Sequence, residues 1–295
     1  MSKLVIAVSS RVLFNLDSEH QLFLSKGVDE YRDYQIQNET KILKKGVAFG
    51  IVEKLLNIKS PVTGDALVEV VMVSRNHGDV GLRIFNSIEH YGLNIQKGAF
   101  TKGGSRSEYI KAYGVDLFLS AHAKEVKSCL DNGIAAAHLR VDGSFVSNEC
   151  DDEPLRIGFD GDAVLFSSAS ESLFKSGGLK AFTEHEVANE NVPLEDGLFK
   201  GFLSGLHDIQ SCFGIDDVPI RTCMITARCS PTHKRVLKTI RHWGLRMDES
   251  VFLGGLDKGE FVKAFGADIF FDDQLKNVQS VSDVGILGGH VSVDL

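Results

Sequence analysis

Four places in the second half of the chain put a short apolar run directly before residues that carry chemistry. Arg156-Ile-Gly-Phe159 runs into Asp160-Gly161-Asp162, and Cys223-Met-Ile225 runs into Thr226-Ala227-Arg228. Phe252-Leu253 leads to Gly254-Gly255 and then Lys258, and Ile269-Phe-Phe271 leads to Asp272-Asp273. Carboxylates, a hydroxyl and an ammonium brought together suit one task, which is holding a phosphate beside a hard divalent cation. Mg2+ prefers carboxylate oxygens and leaves positions for water and phosphate. Lysine and threonine donate to phosphate oxygens. Taken singly, each group is as commonly a turn, a cap or a solvated surface residue; here four consecutive runs end this way.

The runs themselves read as strands. Apolar stretches near Leu155–Phe159, Thr222–Ile225, Val251–Leu253, Ile269–Phe271 and Val284–Leu287 alternate with helix-like patterns near Glu171–Val187, Gly197–Phe213, Pro231–Trp243 and Lys258–Phe265. Buried runs of that length between helices predict βαβ units and a parallel sheet, whose ligands bind beyond the carboxyl ends of the strands. Ser230 followed by Pro231 predicts an N-cap and first helical residue, aiming free amides at an anion beside Thr226. No Gly-x-Gly-x-x-Gly follows a strand, so a dinucleotide site is not indicated.

Sliding the chain by 152 positions aligns the segment from Met72 to Ala121 with that from Met224 to Asp273 without a gap, and about fourteen of the fifty columns are identical, among them Gly92/Gly244, Gly114/Gly266 and Asp116/Asp268. Upstream, a shift of 151 pairs Asn38-Glu39 with Asn189-Glu190 and Gly46 with Gly197. The pattern predicts two tandem duplicated Rossmann-like parallel-sheet units, residues 1–142 and 154–295, joined by an acidic connector over 143–153.

Composition bounds the partners. The 295 residues carry 40 acidic against 32 basic groups, a net charge of −8, with no long run of one sign. That argues against nucleic acid or an anionic membrane as the main partner. Glycine at 29 and proline at 5 indicate glycine turns, and they exclude a collagenous or proline-rich chain. The five dispersed cysteines, Cys129, Cys150, Cys212, Cys223 and Cys229, read as free thiols of a reducing compartment. The early apolar run Leu4–Val8 is too short for a signal segment and reads as a first strand. A cytoplasmic protein is expected.

The set Asp160-x-Asp162, Thr226, Lys258 and Asp272-Asp273 resembles the four motifs of the haloacid dehalogenase-like phosphohydrolases. The strings FDGDAVLFS (Phe159–Ser167), FTEHEVANENVPLEDGLFKGFL (Phe182–Leu203), Thr226–Arg228, IFFDDQ (Ile269–Gln274) and AVSSRVLF (Ala7–Phe14) are closer still to the cytosolic 5'-nucleotidase type I family. This resemblance, which spans nearly the whole chain, implies Mg2+-dependent hydrolysis of nucleoside 5'-monophosphates through an aspartyl-phosphate. It makes Asp160 the nucleophile and Asp162 the acid and base. Asp160, Asp272, Asp273 and the Asp162 carbonyl become metal ligands, and Lys258 and Thr226 become phosphate contacts. The second unit would be the dehalogenase-like core, with a small helical cap at about 168–220. In the cap Phe182, His185, Glu186, Asn189 and Asn191 form a cluster suited to a nucleoside, with Ala227 and Arg228 as further substrate contacts and Lys200 as one more cation within range of the phosphate. Two other readings stay open: the same chemistry on another small phosphate ester, and a non-enzymatic nucleotide-binding regulatory protein. The sequence also leaves a homo-oligomer open.

The first unit lacks the acids. Opposite Thr226, Lys258, Asp272 and Asp273 stand Ser74, Arg106, Ser120 and Ala121. Opposite Asp160-Gly161-Asp162 stand Ser9-Ser10-Arg11 or, one register away, Val8-Ser9-Ser10. The first unit is therefore expected to be inert by aspartyl chemistry. Ser9, Ser10, Arg11, Ser74 and Arg106, with Arg75, Asn76 and His77, could hold a phosphate without turning it over. That would make the unit a regulatory domain for a nucleotide effector, or one wall of the active cleft.

Overall fold

The structure, a computed structural model, describes residues 2–141, 153–215 and 217–292, with the side chains of 171 and 173–176 left out. The connector from 143 to 152 and Cys150 within it lie outside the described residues. The chain divides into two compact units, Met1–Asp152 and Glu153–Ser292, leaving aside the last three residues.

In unit 1, five strands are β1 (Leu4–Val8), β2 (Val68–Ser74), β3 (Lys97–Phe100), β4 (Leu117–Ser120) and β5 (Ala136–Leu139). All their pairings are parallel, in the order β5-β4-β1-β2-β3. Unit 2 has β6 (Leu155–Phe159), β7 (Ile220–Thr226), β8 (Glu249–Phe252), β9 (Ile269–Asp272) and β10 (Leu287–His290), all parallel, in the order β10-β9-β6-β7-β8. The α/β expectation therefore holds. In each sheet the first strand is central and the connections leave it in both directions, which opens a crevice at its carboxyl end.

The two units match in detail. Leu4 pairs with Val68 as Leu155 pairs with Ile220, and Ile6 pairs with Leu117 as Ile157 pairs with Ile269. Asp116 accepts from the Val5 amide at 2.8 Å, and Asp268 accepts from the Arg156 amide at 2.8 Å. Arg83 Nε donates to the Lys41 carbonyl at 2.8 Å, as Arg235 Nε does to that of Val192. These pairs put Ser9 opposite Asp160. They also locate the ambiguous register: Ala48 and Phe199 donate to the carbonyls of Val12 and Val164, so unit 2 has one more residue between Asp160 and Val164. Ala163 in that loop has φ +61°, a left-handed conformation that costs a non-glycine residue about 1–3 kcal/mol.

Four rings, Phe159, Phe199, Phe202 and Phe271, are fully buried and in mutual contact, with centroids 5.0–6.4 Å apart. Phe159 and Phe271 end one step before Asp160 and Asp272. Burial of each ring contributes about 1.5–3 kcal/mol, and this cluster fixes both strand ends beneath the site.

Several expected bounds shift. The helix expected at Glu171–Val187 runs from Ala169 to Ala188 and breaks at Gly178, where φ is +70°; the matching break in unit 1 is Gly27, φ +90°, between helices Asp17–Lys26 and Val28–Gln37. The last strand begins at Leu287, because Val284 closes a helix, Leu275–Asp283, that the sequence reading missed. Ser230 and Pro231 do not start a helix. It begins at His233, with Thr232 before it, so Pro231 is not its first residue. Among the described residues no helix is long and apolar enough to cross a membrane.

Candidate active site

Asp160 follows β6, Asp272 ends the neighbouring β9, Thr226 ends β7, and Lys258 stands directly before the helix Gly259–Phe265. The parallel order brings these exits together. Lys258 Nζ lies 2.8 Å from Asp160 Oδ2 and donates to Asp272 Oδ2 at 2.6 Å. Carboxylate oxygens of Asp160, Asp272 and Asp273 all lie within 4.8 Å of one another. Asp160, Asp272, Lys258 and Thr226 are buried, and Asp273 is half-buried.

Asp272 is held from several sides: it accepts from the Gln274 amide at 2.8 Å and from Asn277 Nδ2 at 3.0 and 3.1 Å. Asp160 accepts from the Gly161 amide at 2.6 Å. A side chain at Gly161 would press on Thr226 Oγ1, which itself accepts from the Arg228 amide at 3.3 Å. Burial pushes the Asp160 carboxyl well above its usual range, while Lys258 pulls the other way. For Lys258 burial lowers the pKa, but Asp160 and Asp272 outweigh it and hold the ammonium charged.

Asp162 faces a different partner. Arg228 grips it through both forks, Nε to Oδ2 at 2.8 Å and Nη2 to Oδ1 at 2.7 Å. The same guanidinium pairs with Glu186, and Arg235 Nη1 donates to the other Glu186 oxygen at 2.8 Å. Burial would raise the Glu186 carboxyl, yet the two arginines hold it below the carboxylate range. Burial would lower the Arg228 pKa, but Asp162 and Glu186 raise it instead. The Phe182 ring covers Arg228 at 5.2 Å. Phe182 and Glu186, one turn apart, share the helix face turned to the core.

The rest of the expected nucleoside cluster is dispersed. His185 is partly exposed with Nδ1 at 3.3 Å from Glu186, and Asn189 bonds back to the His185 carbonyl. Asn191 accepts from Lys238 at 2.7 Å, Ala227 is exposed, and Lys200 pairs with Asp196 at 2.6 Å beneath the Trp243 ring. Arg235 and Asn277 are the residues that sequence reasoning missed. A lone buried Arg or Asn on an amphipathic helix has no signature; only the match of Arg235 to Arg83 marked one of them.

The sequence profile of the 5'-nucleotidase family matches residues 1–295. The chain belongs to the 5'-nucleotidase family. It is 36% identical over 297 residues to cytosolic 5'-nucleotidase 1B of Homo sapiens, an alignment covering 97% of this chain and 48% of that protein. The chain thus spans about half the length of that relative. No solved structure matches the chain. Within this family member the buried carboxylates and their lysine stand where the parallel sheet opens.

In unit 1, Ser9, Ser10, Arg11, Ser74 and Arg106 all line one cavity of about 580 Å3, together with Arg75, Asn76 and His77.

Proposed function

We propose that the protein is a phosphohydrolase that cleaves nucleoside 5'-monophosphates to nucleoside and phosphate, with its chemistry in unit 2. The observation that carries this reading is the buried Asp160–Lys258–Asp272 group, with Asp273 beside it, in a member of the 5'-nucleotidase family. The matching strand order, register and hydrogen bonds support a duplication, with unit 2 as the dehalogenase-like core and about 168–220 as its cap. Free thiols at the described cysteines, and the cytosolic naming of the relative, support a cytoplasmic protein.

Three carboxylates this close, two of them buried, repel one another unless cations lie between them, and Lys258 supplies only one charge. The all-oxygen set fits Mg2+, held by Asp160, Asp272, Asp273 and the Asp162 carbonyl. Bound there, the ion would offset repulsion between the Asp160 carboxylate and the substrate phosphate.

Asp160 attacks phosphorus as the bond to the ribose oxygen breaks, and Asp162 gives that oxygen a proton. Asp162 then takes a proton from the water that releases phosphate from Asp160. For the first step Asp162 must stand at the leaving oxygen as the carboxylic acid. Once its proton is given up, the carboxylate that Arg228 can hold is the base of the second step, which returns the acid form. Lys258 and Thr226 stabilise the charge on the transferring group.

The test is phosphate release from a panel of nucleoside monophosphates and sugar phosphates, with and without Mg2+. Release from the nucleotides that needs both the ion and Asp160 is expected. Equal release in EDTA and from Asp160→Asn would overturn the mechanism, and preference for sugar phosphates would overturn the substrate class.

A further inference from the structure

The unit 1 cavity lies where the active site lies in unit 2, yet its charges are arranged for a different end. Lys258 has two fixed counter-charges in Asp160 and Asp272. Arg106 stands in its place, with Ser9 and Ser120 where those acids were. The carboxylate that remains, Glu125, sits at the position of Asn277. It accepts from Ser120 Oγ at 3.1 Å, pairs with Arg106, and lies 3.5 Å from Arg75. One acid therefore serves two guanidiniums. Arg106 is nearly fully buried, with its Nη1 on the Val73 carbonyl and its Nε without a hydrogen-bond partner among the described residues. Arg11 Nε is likewise buried and unpartnered, while its Nη2 reaches Asp17 at 3.2 Å.

The cavity lining as a whole carries five cations, Arg11, Arg32, Arg75, Lys102 and Arg106, against one carboxylate, Asp29. Counting the acids outside the lining that pair with them, Asp17, Asp79 and Glu125, five cations meet four carboxylates. Lys102 is exposed and has no ion pair among the described residues. At the strand exits the hydroxyls of Ser10 and Ser74 share a hydrogen bond at 3.1 Å, which leaves one hydroxyl hydrogen to donate. The lining also holds apolar and aromatic side chains, Leu16, Phe23, Val28 and Val80, with Tyr31 edge-on to Phe23 at 5.9 Å.

We propose that this cavity is a binding site for a small organic phosphate with an aromatic or apolar remainder, which unit 1 holds without hydrolysing. The phosphate meets Ser10, Ser74, Arg11 and Arg106, and the remainder packs on Phe23 and Tyr31. The volume is in the range of small-ligand sites and far exceeds what inorganic phosphate fills. Among the described residues no carboxylate stands at a strand exit of unit 1 where Asp160 stands in unit 2, so the ligand leaves unchanged. Arg106 has its pKa lowered to about 9, by burial first and then by Arg75, so an anion beside it relieves a real cost.

Amide exchange of the full-length protein in EDTA tests this, with a nucleoside 5'-monophosphate as the probe and inorganic phosphate as the comparison. The nucleotide should slow exchange across residues 9–16, 74–80 and 101–106, in the wild type and equally in Asp160→Asn. Arg106→Gln should raise the half-protecting concentration by at least about tenfold, and Lys102→Glu, on the surface and safe for the fold, by about threefold. Protection confined to unit 2, or unit 1 protection that Lys102→Glu leaves unchanged, would overturn the proposal. So would inorganic phosphate protecting unit 1 at the same concentration as the nucleotide. None of these outcomes depends on whether unit 2 hydrolyses anything, so failure here is distinct from failure of the catalytic reading.

Discussion

Unit 2 has Asp160 and Asp272 at its strand exits, with Lys258 between them; unit 1 has Ser9 and Ser120 at the matching exits, and Arg106, at the position of Lys258, pairs with Glu125. Strand order and pairing are shared, and the connections between them differ in length by single residues at a few points, so the change in chemistry needs little change in fold. The clearest exchange is at two positions five residues apart, one at a strand exit and one on the helix that follows. In unit 2 the acid is at the strand exit and the amide on the helix, as Asn277 donates to Asp272. In unit 1 the acid is on the helix and the hydroxyl at the exit, as Ser120 donates to Glu125. The hydrogen bond survives and the negative charge withdraws from the place where phosphorus would sit. A similar exchange separates the helices before each sheet's second strand: Glu186 bridges Arg228 and Arg235, whereas Gln35 accepts from one arginine, Arg83, at 3.0 Å, and Arg83 finds its charge partner in Glu19 at 2.9 Å.

The largest effect should come from Asp160→Asn, which keeps the shape of the side chain and removes the carboxylate that the proposed mechanism uses as nucleophile. Phosphate release should fall by at least about a thousandfold, with the fold retained. The converse change sharpens the contrast: Ser9→Asp restores one acid in unit 1, yet should add no measurable turnover to Asp160→Asn, because Ser120 and Ala121 still stand for Asp272 and Asp273. Activity in that double variant would mean one carboxylate suffices.

Chelation comes next. EDTA should remove turnover and Mg2+ restore it, with Asp273→Asn raising the Mg2+ needed for half-maximal rate by about tenfold, as loss of one anionic ligand predicts. An unchanged Mg2+ requirement in Asp273→Asn would take that residue out of the ligand set.

Glu186→Gln then probes the cap bridge by giving unit 2 the residue that unit 1 has. Arg235 loses its charge partner, and Arg228 keeps only Asp162. Breaking a buried pair costs about 3–5 kcal/mol, discounted here to about 2–4 because Arg228 retains a partner. Turnover should fall about tenfold through a misplaced Asp162, with kcat carrying more of the loss than KM. Unchanged urea midpoint and kcat would make Glu186 a passive filler.

The comparison also explains what could be read from the sequence. Each run before Asp160, Thr226 and Asp272 was legible because buried parallel strands are continuous apolar segments, and the acids at their exits break that pattern sharply. The repeat was legible because glycines at Gly92 and Gly244, both with positive φ, end helices at fixed spacing. The cap was not. Phe182, Glu186 and Asn191 look alike as an exposed amphipathic stretch, and only three-dimensional packing turns Phe182 and Glu186 inward and leaves Asn191 on Lys238. Ser230-Pro231 misled because a cap signature depends on where the backbone turns, and that turn is completed two residues later.

The smallest effect is a pH slope confined to unit 1. His122 lines the cavity, and its pKa is lowered to about 4, by burial first and then by Arg75, Arg106, Arg11 and His20. An unfolded chain takes up that proton near pH 6.5. Between those values the unfolded state binds more protons, so the stability tied to neutral His122 is present above about 6.5 and lost as pH falls toward 4. His122→Gln should remove this part of the slope: wild type should exceed the variant by more at pH 7 than at pH 5. The two units report separately, since all five tyrosines, Tyr31, Tyr34, Tyr91, Tyr109 and Tyr113, belong to unit 1 and the single tryptophan, Trp243, to unit 2. The slope should therefore appear in urea unfolding followed by tyrosine emission. An organic phosphate in the cavity should flatten it, because an anion beside His122 raises the folded pKa toward 6.5. Equal slopes in wild type and variant, with or without ligand, would show that the cations of unit 1 do not act on the cavity they line.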